Sequence, residues 1–79
     1  MLRAAHRHGA RHADEVRSST ACGCFYCLEI FAPDEIEEWI AAEGTALCPR
    51  CGIDAVIGDL SGFPVARRAF LQAMHRLWF

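Results

Sequence analysis

Seventy-nine residues, 53% of them hydrophobic and 23% charged, suffice for one domain and are too apolar for a disordered chain. A core this small supplies only about 3–5 kcal/mol, so a disulfide or a metal is expected to hold it. The net charge of −2 is divided as +2 over residues 1–19, −7 over 20–60 and +3 over 61–79, without a single Lys. The first reading of that division is basic ends folded back on an acidic middle. The sharper one is a basic partner for the middle, or nucleic acid for the ends.

Residues 1–19 form an Arg- and His-rich leader, either helical over 10–18 or flexible, which Ser18-Ser19-Thr20 interrupts. Residues 20–79 are expected as a single zinc-binding domain. Leu28-Glu29-Ile30-Phe31 predicts a short strand. Pro33 then predicts the start of a helix, with Asp34 and Glu35 in the first turn, where the helix dipole favours acids. Ile36, Trp39 and Ile40 would form its inner stripe and Gly44 its stop. Ala55-Val56-Ile57 predicts another strand, and residues 58–62 a turn. A last helix is expected over 64–78, with Phe70, Met74, Leu77 and Trp78 on its apolar face.

Two Cys-x-x-Cys steps, Cys24-Phe25-Tyr26-Cys27 and Cys48-Pro49-Arg50-Cys51, are separated by twenty residues, a spacing typical of four-cysteine zinc sites. A two-residue gap lets one tight turn aim two thiolates at an ion, and two such turns complete a tetrahedron. Gly52 suits the backbone with positive φ that ends such a turn. One structural Zn2+ on Cys24, Cys27, Cys48 and Cys51 is therefore expected. Cys22 reads as a spare thiol beside the site, because only Cys24 makes the two-residue step to Cys27. No stretch resembles a signal peptide or a membrane span, so a cytoplasmic setting with reduced thiols is expected.

His6, His8 and His12 offer an H-x-H-x₃-H array, the one route here to an open metal site and hydrolysis. The plainer reading is a solvated leader. Phe25 and Tyr26 shield the metal or stack on bases. Trp39, Trp78 and Phe79 belong to the core or to a partner surface, with the terminal Trp-Phe the better exposed pair. Asp34, Glu35, Glu37 and Glu38 read as a solvated helix face. There is no Ser-His-Asp pattern and no phosphate loop.

The runs Cys22-Gly23-Cys24-Phe25-Tyr26-Cys27, Phe31-Ala32-Pro33-Asp34-Glu35-Ile36-Glu37-Glu38-Trp39 and Thr45-Ala46-Leu47-Cys48-Pro49-Arg50-Cys51-Gly52-Ile53-Asp54 resemble a bacterial family of small, uncharacterised, zinc-ribbon-like cytoplasmic proteins. The resemblance continues through Val56-Ile57-Gly58 and Ser61-Gly62-Phe63-Pro64 to Met74-His75-Arg76-Leu77-Trp78-Phe79, and includes the leader histidines. It implies four-cysteine zinc ligation and a cytoplasmic home, but no activity. Ala66 stands where the resemblance implies a Ser or Thr capping the last helix.

The expected fold is a small α+β zinc-stabilised domain with zinc-ribbon-like knuckles, an inserted helix and a C-terminal helix. The expected function is non-catalytic contact with another macromolecule, in the first place a protein, through Trp78 and Phe79, with Glu35 and Glu38 orienting the contact. Self-association through the same aromatics is a further partner reading, and no membrane partner is expected. The alternatives are a metal-dependent hydrolase or nuclease built on His6, His8 and His12, and a nucleic-acid-binding zinc ribbon.

Overall fold

In chain order the elements are α1 (Ala13–Arg17), β1 (Cys22–Cys24), β2 (Ile30–Phe31), β3 (Trp39–Ile40), β4 (Thr45–Ala46), β5 (Val56–Gly58) and α2 (Arg68–Trp78), with 3₁₀ turns at Pro33–Glu35 and Asp59–Ser61. This computed structural model describes Ala5, His6, His8 and residues 12–79. Part of the leader helix expected over 10–18 lies outside those residues.

Strand β1 is the middle of a three-stranded antiparallel sheet, order β2-β1-β5. Cys22 faces Phe31 on one side and Gly58 on the other, and Gly23 faces Ile30 and Ile57. All three β1 residues are buried. The lack of a side chain at Gly23 has a direct use, because the Val65 carbonyl and the Leu71 side chain close on its α-carbon. Helix α2 packs there through Phe70, Leu71 and Met74. Leu71 is fully buried, whereas Leu77, expected inside, is 46% exposed. Helix α2 also starts later than expected, after a turn in which Arg67 N–H donates to the Pro64 carbonyl. Among the described residues no side chain caps it.

The inserted helix expected from Pro33 to Gly44 does not form. Pro33 and Asp34 do open a helical turn, and Glu35 closes it by accepting the Ala32 N–H at 2.9 Å. At Ile36 the backbone then extends, with φ −75° and ψ 122°. Trp39–Ile40 pairs antiparallel with Thr45–Ala46 instead, across a turn that places Gly44 at φ +63°. A lone helix of this length is marginal in water, and here tertiary partners favour the hairpin. The Arg17 guanidinium covers the Trp39 ring at 4.4 Å, while His12 N–H donates to the Gly44 carbonyl at 2.9 Å.

Residues 12–19 thus pack against the rest of the chain. Val16 is fully buried in the same core as Ile57 and Met74, and His12 is 4% exposed. The Ala46 N–H can only donate, so His12 Nε2 accepts it at 3.0 Å. The remaining proton sits on Nδ1, which donates to the His8 carbonyl at 2.6 Å. This histidine is a structural bracket in its neutral form.

Burial holds the His12 pKa below the ordinary value of 6.5. The unfolded chain then binds the proton more readily than the folded one. This contribution to stability is complete above about pH 6.5 and is lost as pH falls toward the folded pKa. His12→Ala is expected to cost about 1–3 kcal/mol by stranding the Ala46 amide. It should also flatten the decline in stability on acidification through that range. Urea titrations of both proteins at several pH values test this, and parallel declines would remove His12 from the account.

Candidate metal centre

The two cysteine turns have the same backbone. In the first, Cys24 N–H donates to the Glu29 carbonyl and Leu28 N–H donates to the Cys24 carbonyl at 2.8 Å. In the second, Cys48 N–H donates to the Ile53 carbonyl and Gly52 N–H donates to the Cys48 carbonyl at 2.9 Å. Each leading sulfur also accepts an amide proton two residues on: Tyr26 N–H to Cys24 Sγ at 3.4 Å and Arg50 N–H to Cys48 Sγ at 3.3 Å. Each turn ends in left-handed backbone, Gly52 at φ +79° and Leu28 at φ +69°. Leu28 is the only non-glycine residue with positive φ among the described residues. That conformation costs an L-residue about 1–2 kcal/mol, and packing of the Leu28 side chain against the core offsets it.

Strand β1 delivers the first turn, and the β3–β4 hairpin returns the chain to the second. As a result one sulfur from each of Cys24, Cys27, Cys48 and Cys51 lies within 4.8 Å of the others. Cys24 and Cys51 are 3.7 Å apart, as are Cys27 and Cys48. A tetrahedron with metal–sulfur bonds of about 2.3 Å has edges of about 3.8 Å. The four side chains can therefore hold one metal ion. Burial pushes the Cys24 and Cys27 thiols up. At Cys48 burial acts in the same direction but is outweighed by the backbone N–H groups of Cys51 and Arg50, which hold its pKa down. Four thiolates this close need a cation between them.

Cys22 stands apart. It is fully buried in β1, and burial, followed by the nearby Asp59 charge, pushes its thiol up to about 12. It is a neutral core side chain. The leader histidines do not converge on one point either. His6 stacks on Trp78 with centroids 3.9 Å apart, and His8 Nδ1 meets the Glu15 carboxylate at 3.0 Å. His12 has both nitrogens on backbone partners. Among the described residues the four cysteines are the one group of metal-ligating side chains close enough to share an ion.

The residues expected to form a binding surface are distributed over both knuckles. Phe79 is 59% exposed and rests on the first, near Phe25 at 6.0 Å and Tyr26 at 5.0 Å. Trp78 turns inward against the core, with its indole N–H buried and without a hydrogen-bond partner among the described residues. Glu35 and Glu38 lie by the second knuckle. Glu35 pairs with Arg50 at 2.7 Å, and Glu38 lines a shallow hollow with Cys48, Pro49 and Gly52. His75, which the sequence places at the edge of the apolar helix face as a packed or capping side chain, has its Nδ1 3.2 Å from the Phe25 carbonyl and its ring stacked on Phe79.

Among the described residues no helix is long and apolar enough to cross a membrane. No family model, curated protein or solved structure matches the chain. What it displays is a small α+β fold that gathers four cysteines into a site for one metal ion.

Proposed function

We propose that this protein is a zinc-stabilised binding module. One structural Zn2+ on Cys24, Cys27, Cys48 and Cys51 locks the two knuckles together, and the protein's work is recognition of another macromolecule. The observation that carries the reading is the cluster of four sulfurs within 4.8 Å, with two edges at 3.7 Å. Thiolates in a tetrahedron favour zinc over harder divalent ions. Four of them leave no open position for water or substrate, which separates a structural site from a catalytic one. Bound there, zinc supplies folding free energy on the order of 10–16 kcal/mol. The zinc-ribbon-like bacterial family and a reducing cytoplasmic setting are proposed on the same cysteines. Recognition falls to the face where Tyr26 and Phe79 stand exposed beside the first knuckle.

Elemental analysis of the purified protein should find about one zinc per chain. Cys22→Ser should leave that content unchanged. Zinc kept in Cys48→Ser but lost in Cys22→Ser would overturn the ligand assignment. Host macromolecules that co-purify with the zinc-loaded protein should be lost with Phe79→Ala. Hydrolysis of nucleic acid or peptide that stops with His8→Ala would overturn the binding reading in favour of an enzyme.

A further inference from the structure

The outward face of α2 carries two arginines and ends beside exposed rings. Arg68, Gln72, Arg76 and Phe79 follow i, i+4, i+8 and i+11, one stripe of a helix, and all four are exposed. The stripe lies opposite the buried Phe70, Leu71 and Met74. The first knuckle runs along its flank. Arg68 reaches the Glu29 carboxylate at 3.3 Å, His75 meets the Phe25 carbonyl, and Tyr26 meets the Phe79 ring edge-on at 5.0 Å. Tyr26 is 44% exposed and Phe79 59%. Residues 61–79 contain three Arg and no acid. Glu29 is the carboxylate paired with this stripe, whereas Glu35, Glu37, Glu38 and Glu43 belong to the 3₁₀ turn and the β3–β4 hairpin.

We propose that this stripe and the first knuckle bind single-stranded nucleic acid, with phosphates on Arg68 and Arg76 and bases on Phe79 and Tyr26. The assignment rests on the binding-module reading and names the partner class for it. An acidic protein segment would satisfy the guanidinium groups but would leave the two rings without a flat partner. A single strand offers a charge and a π-face with every nucleotide, which is the combination this surface presents. A duplex keeps its base faces stacked and could use only the cations. At 1.5 Å per residue the stripe from Arg68 to Phe79 is about 16 Å long, room for a short stretch of strand. Attraction between the guanidinium groups and phosphate is screened by salt, so binding is strongest at low salt.

The test is fluorescence anisotropy of a short labelled oligothymidylate titrated with the intact zinc-loaded protein. Binding should weaken steeply with salt, and Arg76→Gln should reduce the logarithmic salt slope by about 0.7, one phosphate contact. Tyr26→Ala and Phe79→Ala should each weaken binding by roughly 5- to 150-fold, the range for loss of one stacked base. Zinc content and the near-UV spectrum should stay unchanged in all three variants, and Glu38→Gln should not weaken binding. No binding at low salt overturns the proposal, as does binding that none of the three substitutions alters. Equal affinity for a duplex of the same length, or equal competition by polyglutamate, also overturns it, since the rings would then play no part. If the oligonucleotide does not bind while a host protein is still captured in a Phe79-dependent way, the nucleic-acid class falls and the binding module stands.

Discussion

Replacing Cys48 with serine is expected to release the metal and unfold the chain. Cys48 is 4% exposed, its sulfur lies 3.7 Å from that of Cys27, and it accepts the Arg50 amide. A serine hydroxyl stays protonated and cannot replace a thiolate in the tetrahedron. A domain of this size has a total stability of only about 4–12 kcal/mol. Loss of even half of the zinc contribution, about 5–8 kcal/mol, consumes most of that. Elemental analysis should show zinc lost, and the near-UV signals of Trp39 and Trp78 should collapse. A strong chelator should do the same to the unmodified protein. A chelated protein that keeps its cooperative transition at the same temperature would show that the metal is not what holds the fold.

Gly23→Ala is expected to be strongly destabilising although it adds only one methyl group. A β-carbon there would sit 2.7 Å from the Val65 carbonyl oxygen and 2.9 Å from a Leu71 methyl. Neither neighbour can retreat easily, because Val65 and Leu71 are both fully buried. The strand cannot move away either, since Gly23 is paired with Ile30 on one side and Ile57 on the other. Forcing a methyl group into such a space costs about 1–3 kcal/mol or more, a fall in melting temperature of about 4–8 °C per kcal/mol. The displacement would also shift Cys24, the next residue, so a weaker hold on zinc should accompany the lost stability. Thermal unfolding and a competitive chelator titration measure the two effects. A variant within about 0.5 kcal/mol of the parent would show that α2 does not close on β1 this tightly.

The cysteine site was legible in the sequence because each knuckle is a local object. From Cys24 to Glu29, and again from Cys48 to Ile53, six consecutive residues contain the hydrogen bonds that the two turns have in common. Spacing alone therefore carried the geometry of each knuckle, and the strand near Val56 and the helix ending at Trp78 were legible from their own patterns. Leu28 escaped notice because its left-handed backbone follows from its place after Cys27 and not from its residue type.

The segment from Pro33 to Gly44 shows where local signals stop. Its acids, proline and apolar spacing all point to a helix, and the first turn obeys them. Beyond Ile36 the outcome depends on groups far along the chain: Arg17 over Trp39, and the His12 ring under the Ala46 amide. The same holds for the choice of Leu71 over Leu77 as the buried side chain of α2, which turns on Gly23 leaving room beside it. By itself the sequence determined that two tight turns would present four thiols able to hold one metal ion. Only the tertiary structure decided that a hairpin, not a helix, joins those turns. Isolated helical propensity over ten residues is worth less than the buried contacts and backbone hydrogen bonds that distant residues provide.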